Sequence, residues 1–190
     1  QSATKVIDQY KTTFYLGIES PGAKSIAFHF DEFQLTNHSE MFIYDEEETM
    51  YIGSFNSKNN DFTGEKSTAV VKGDRLIIEL TVPNHELRDL ALHMSIVTHD
   101  FLDFMNFHED QTSERVDCND NVACSSGDDW RDEIDGVVLV SGNGGLCSAS
   151  LVNNTNSDLT PYILYAAHCN SGGSNTIYFN YQSYTCNGSS

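Results

Sequence analysis

Hydrophobic and polar residues alternate along much of the first hundred positions. Ile26, Phe28 and Phe30 occupy every second position, a period of two that is typical of a half-buried β-strand. His29 lies on the opposite face of this strand, where we expect it to be exposed to solvent.

Further short apolar runs follow, and turn-forming residues separate them. These runs cover 41–44, 68–71, 75–82 and 90–97, with Asn, Gly, Asp and Pro concentrated between them. Several short strands at this spacing, without a convincing amphipathic helix, predict an all-β segment. We expect a β-sandwich of the jelly-roll type.

A polar stretch separates this segment from the rest of the chain. Residues 108–117 read HEDQTSERVD and include one apolar residue, which is typical of an exposed linker that proteases can cut. We therefore predict two domains, at 1–107 and 118–190. In the second domain, strands are expected at 136–140, 146–152, 162–166 and 176–181.

The net charge of the chain argues against several classes of partner. The 190 residues include 28 Asp+Glu and 10 Lys+Arg, a net charge of −18, which argues against nucleic acid and anionic membranes. No run approaches the roughly 18 apolar residues of a membrane-spanning helix. Calcium could bind at Asp45–Glu48 or at Asp128, Asp129 and Asp132. Neither group has the spacing of a calcium loop, so we expect no cofactor.

The cysteines all lie in the second segment. They are Cys118, Cys124, Cys147, Cys169 and Cys186. Their setting among Gly, Ser and Asn favours the disulfides of an exported protein, and the absence of CxxC pairs makes zinc the weaker alternative. Because five is odd, one thiol is free, pairs with another chain, or lacks its partner.

The sharpest motif is Tyr162-Ile-Leu-Tyr-Ala-Ala-His168-Cys169. An expected strand leads into two alanines, a histidine and a cysteine. A catalytic base needs a fixed ring orientation, and the small residues leave room for the ring and a neighbouring acid. Upstream, Leu146-Cys-Ser-Ala-Ser-Leu-Val152 is a second expected strand that carries a cysteine.

Together these motifs resemble the first barrel of trypsin-like serine proteases, in which a Cys-x-x-Ser-Leu strand precedes an Ala-His-Cys loop. Cys118-Asn-Asp-Asn-Val-Ala-Cys124, Pro161-Tyr162 and Asn180-Tyr-Gln182 are closer to the bacterial lysyl-endopeptidase branch. The first segment is similar to the β-rich propeptides of such proteases in its Pro21–Phe30 stretch and its Gly73-Asp74 turn.

The resemblance implies an incomplete chymotrypsin-like β-barrel at 118–190, with His168 as the general base. It also implies the pairing of the cysteines. Cys147 would bond to Cys169 and Cys124 to Cys186, and Cys118 would have no partner within this chain.

The other parts of the triad are not recognisable in the chain. In the family, the catalytic Asp follows the region seen here, and the nucleophile lies in a Gly-x-Ser-Gly motif that this sequence lacks. The resemblance therefore implies the amino-terminal portion of a secreted serine endopeptidase zymogen, with a propeptide and a protein or peptide substrate. This chain alone should be inactive, because it needs the remaining catalytic domain or a second chain.

Two further points stay open at this stage. Arg115 is the only basic residue of the linker and is the candidate processing site. The alternative function is a non-catalytic, secreted β-sandwich binding protein derived from such a protease.

Overall fold

The fold is all-β, as the sequence predicts. The computed structural model describes residues 2–105, 120–142, 145–169 and 174–186. The chain divides into two compact units, Gln1–Phe107 and His108–Ser190. Every strand pair among the described residues is antiparallel.

The described part of the first unit contains nine strands and a 3-10 turn at Ser57–Asn59. The strands are β1 (Ser2–Ile7), β2 (Lys11–Glu19), β3 (Ser25–Gln34), β4 (Glu40–Asp45), β5 (Tyr51–Phe55), β6 (Lys66–Ser67), β7 (Val71–Lys72), β8 (Arg75–Pro83) and β9 (Ala91–Asp100). One sheet has the order β1-β2-β8-β4-β5. In the other, β9 pairs along β3, while β6 and β7 pair with successive parts of the other edge of β3.

Both sheets contribute to a single apolar core. Along β8 every second residue is buried, and β3 contributes aromatic side chains from the other sheet. Phe33 packs edge-to-face against Phe30 and Phe55, with ring centroids 5.6 and 6.4 Å apart. The buried members are Ile18, Ala23, Ile26, Phe28, Phe30, Phe33, Leu35, Met41, Ile43, Val71, Leu76, Ile78, Leu80 and Val82. Two sheets enclosing one core form a sandwich.

Of the predicted strand at 68–71, only Val71 lies in a strand, because β6 ends at Ser67 and β7 begins at Val71. The N–H of Thr68 donates to the Phe28 carbonyl at 2.9 Å, and its side-chain oxygen accepts from the Phe28 N–H at 3.0 Å. At Thr68 a side-chain hydroxyl thus takes the place of a backbone carbonyl in the hydrogen bonding to β3, and this separates β6 from β7.

The expectation that His29 is exposed is wrong. This side chain is 7% exposed, and its Nδ1 lies 3.0 Å from the Ser67 hydroxyl. His29 sits between Ser67 of β6 and Ile96 of β9, on the central strand of its sheet. Neighbours on both sides cover it, which a period of two in a single strand does not reveal.

The described part of the second unit is one open sheet with three short helical segments. A 3-10 turn at Ser125–Trp130 runs into helix α1 (Arg131–Asp135), and another 3-10 turn covers Ala167–Cys169. The strands are β10 (Val137–Gly142), β11 (Gly145–Val152), β12 (Tyr162–Leu164) and β13 (Thr176–Phe179), in the order β12-β11-β10-β13. None of the helices in the described residues is long and apolar enough to cross a membrane.

A buried carboxylate links two loops of the first unit. Glu86, which follows β8, is 9% exposed and accepts from the His38 N–H at 3.2 Å. The His38 Nδ1 lies 2.5 Å from the same carboxylate, and the His85 ring lies 3.6 Å away. Hydrogen bonding from Thr36 and then from His38 lowers the pKa of Glu86 to about 2.

Glu86→Gln is expected to remove an acid-sensitive part of the first unit's stability. The pKa of Glu86 is lower in the folded state than its ordinary value of 4.5, so its ionised form stabilises the fold above that pH. This contribution is lost as the pH falls toward 2. Hydrogen exchange of β4 and β8 amides, corrected for intrinsic rates, measures it.

The control is Glu40→Gln, which neutralises an exposed carboxylate of β4. In the wild type and the Glu40 variant, the protection of these amides from hydrogen exchange should decrease between pH 5 and 2. In the Glu86 variant, the protection should be lower at pH 5 and should decrease less. Identical curves for all three proteins would contradict the assignment.

Candidate functional site

His168 is positioned by the strand that precedes it. β12 pairs with the last residues of β11, and the chain then turns through a 3-10 turn closed by the Cys169 N–H on the Ala166 carbonyl at 2.9 Å. The turn leaves the His168 ring exposed, while Cys169 is 7% exposed. The strand end therefore presents an imidazole to solvent on an anchored backbone.

The anchor is a disulfide. Cys147 in β11 is bonded to Cys169, with 6.2 Å between their Cα atoms. A ring nitrogen of His168 lies within 4.8 Å of both sulfurs. Within the described part of the chain, Cys147, His168 and Cys169 form the one group of three potential metal ligands (His, Cys, Asp or Glu) that lie this close together. Because the two sulfurs are bonded to each other, neither is a thiolate that could hold a metal.

The His168 ring has no carboxylate partner within the described ranges. Neither the hydrogen bonds nor the ion pairs of those residues include it, in contrast to His38 and His93, which contact Glu86 and Asp31. Catalysis by a histidine base needs a group that fixes the tautomer and orientation of the ring. The described residues thus present an exposed imidazole without an orienting carboxylate.

A second disulfide bonds Cys124 to Cys186, which lie 62 positions apart in sequence and have their Cα atoms 4.3 Å apart. Both bonded pairs are those that the family resemblance implies.

The Arg131 guanidinium braces the segment at Cys124. It donates to the carbonyls of Val122 at 2.9 Å and Cys124 at 3.4 Å, and to the Asp128 carboxylate at 2.7 Å. Gly127 is required here, since a Cβ would lie 2.3 Å from the Val122 oxygen. Sequence reasoning missed Arg131, because no local motif marks an arginine whose partners are backbone carbonyls.

The acidic groups considered for calcium have structural contacts. Asp45 is 8% exposed and accepts from the Thr49 hydroxyl at 2.5 Å and the Met50 N–H at 2.7 Å, which shapes its turn. Asp128 pairs with Arg131. Among the residues described, neither group brings three carboxylates together within 4.8 Å.

Cys118, Arg115 and the predicted linker at 108–117 lie outside the described residues. The pairing of Cys118 and processing at Arg115 therefore stay predictions.

Residues 112–190 match the family described as "Lysyl endopeptidase, C-terminal domain". The match includes both disulfides and His168, and it begins within the predicted linker. It supports a protease family of the lysyl-endopeptidase type. No solved structure matches the chain.

Removing either disulfide should destabilise this lysyl-endopeptidase-like unit. Chain entropy predicts a loss of about 3 kcal/mol for Cys147→Ser with Cys169→Ser, whose cysteines are 22 positions apart. For Cys124→Ser with Cys186→Ser, 62 apart, it predicts about 4 kcal/mol. Hydrogen exchange of β10 and β11 amides reports the change.

Peptide mapping without reductant checks the pairing itself. A Cys118–Cys124 bridge, or unchanged exchange in both double variants, would contradict this account.

Proposed function

We propose that residues 118–190 are the first part of the catalytic domain of a secreted serine endopeptidase of the lysyl-endopeptidase type, with His168 as the general base. The observation that carries the proposal is an exposed imidazole on a disulfide-anchored turn, inside the segment that matches the family. An exported protein can keep such disulfides.

In this proposal, His168 transfers protons during the reaction. One ring nitrogen takes the proton of a serine hydroxyl as that oxygen attacks the scissile carbonyl, and later gives it to the leaving amine. The other nitrogen donates to a carboxylate that stabilises the imidazolium. In this proposal the serine and the carboxylate come from the remaining catalytic domain or from a second chain.

One apolar face of the sheet in the second unit is partly exposed, which supports the proposal that further strands cover it. The register places Leu151, Ile177 and Phe179 on the same face as the buried Val138 and Val140. Yet Leu151 is 38%, Ile177 37% and Phe179 56% exposed. A sheet of a larger barrel would bury these side chains against further strands.

In the same proposal, the first unit is the pro-domain of a zymogen. Its core is separate from that of the second unit. A compact unit joined by a polar segment can be removed by one cut without disturbing the core of the other unit.

The 190-residue chain should hydrolyse lysyl and arginyl esters no faster than background. In a protein that joins it to a segment with the catalytic Asp and the Gly-x-Ser-Gly motif, His168→Ala should lower kcat by about 10⁴-fold or more. Steady-state ester hydrolysis measures both effects.

His85→Ala is the matched control, because it removes an exposed histidine of the first unit. Turnover by the 190-residue chain that disappears in its own His168→Ala variant would show that the missing groups are present after all. Full activity of His168→Ala in the longer protein would overturn the assignment of the base.

Limited trypsin digestion tests the proposed boundary. We expect the dominant early cut after Arg115, giving a chain that begins Val116-Asp117-Cys118, because an exposed, extended segment enters a protease cleft most readily. Amino-terminal sequencing identifies the product. First cuts after Lys58 or Lys66 with the linker intact would contradict the division.

A further inference from the structure

A concave pocket of about 330 Å³ lies on the outer face of the sheet β1-β2-β8-β4-β5. Its lining residues are Phe42, Tyr44, Glu48, Tyr51 and Glu79. Three are aromatic, two are acidic, and none is basic.

The strand register brings the walls of this pocket together. Phe42 of β4 lies opposite Glu79 of β8, and Tyr44 of β4 lies opposite Tyr51 of β5. Since alternate residues of a strand share a face, Phe42 and Tyr44 both project outward from the sandwich core. Tyr51 is 67% exposed, so an aromatic surface is open to a ligand.

The Tyr44 hydroxyl keeps its proton and orients one carboxylate. It donates to Glu79 Oε2 at 3.0 Å. Burial, and after it this hydrogen bond, raises the pKa of Tyr44 to about 12. The second carboxylate oxygen of Glu79 has no hydrogen-bond partner among the described residues.

Neither carboxylate of the pocket has a basic neighbour. Within the described part of the chain, no Lys, Arg or His lies within 4.0 Å of Glu48 or Glu79. By contrast, Glu19 and Glu46 both contact Arg75, at 3.8 and 3.1 Å. The pocket thus combines uncompensated negative charge with aromatic faces.

We propose that this pocket binds the positively charged side chain of a peptide, a lysine or an arginine. A cation over an aromatic face is attracted by the ring quadrupole, and its N–H groups can donate to carboxylates, which only accept. A neutral sugar could donate hydroxyl groups to the two carboxylates, but it would gain no ionic attraction from their charge. The inference is independent of the proposed protease function.

The test is a titration of the full 190-residue chain with Nα-acetyl-Nε-trimethyl-lysine amide. Binding is measured from the changes in the NMR chemical shifts of residues 42–51 and 79. The neutral tert-butyl isostere has the same shape without the charge. We expect the cation to bind about fivefold tighter or better than the isostere, from the usual strength of cation–π contacts. Nα-acetyl-lysine amide should shift the same resonances.

Matched variants separate the pocket from the general negative charge. Tyr51→Leu and Glu79→Gln should each weaken binding about fivefold, because each removes one attraction of the cation. Glu47→Gln, in the same acidic turn but outside the pocket, and Tyr10→Leu, an exposed tyrosine elsewhere, should leave binding within about twofold of wild type. Dispersed amide spectra confirm that each variant is folded.

Three outcomes would overturn the proposal. If Glu47→Gln and Glu79→Gln weakened binding of the cation equally, the attraction would come from the general negative charge of the surface and not from the pocket. Equal binding of the cation and its neutral isostere would indicate an apolar contact. Shifts at these residues with cello-oligosaccharides but not with the lysine derivatives would assign the pocket to carbohydrate.

Discussion

The second unit depends on the Cys147–Cys169 bond more than on apolar packing. Its described core buries only Val138, Val140 and Ala149, with Ile163 and Tyr165 partly buried against them. Two disulfides, which restrict the unfolded chain, supplement this small core, and one of them fixes the turn that carries His168.

The first unit solves the same problem by burial. It has no cysteine, and its two sheets enclose a continuous cluster of aliphatic and aromatic side chains. The uneven distribution of cysteines along the chain therefore reflects two ways of stabilising small β-structures.

Local sequence patterns predict the strands whose two faces differ most in burial. They do not predict the burial of residues that are covered by strands distant in sequence. The alternation around Phe28 and the run at 75–82 mark β3 and β8 because one face of each is buried. The sequence pattern does not predict β1, β2 and β5, because the two faces of each strand are similarly exposed or half-buried. Burial of His29 depends on strands distant in sequence. The importance of His168 and the cysteine pairs came from family resemblance, because spacing alone leaves several pairings open.

The acidic surface is not a uniform coat. Glu86 and Asp45 are held by hydrogen bonds that shape loops, and Asp158 does the same in a loop of the second unit, where Asn154 and Thr160 lower its pKa to about 2. With 10 basic residues against 28 acidic ones, most carboxylates must lack an ionic partner, so an unpaired carboxylate says little by itself. What distinguishes Glu79 is its setting, since an aromatic wall and a hydrogen bond from Tyr44 hold it at a concave surface. Solubility requires only charge, whereas recognition requires charge held in place beside a surface of defined shape.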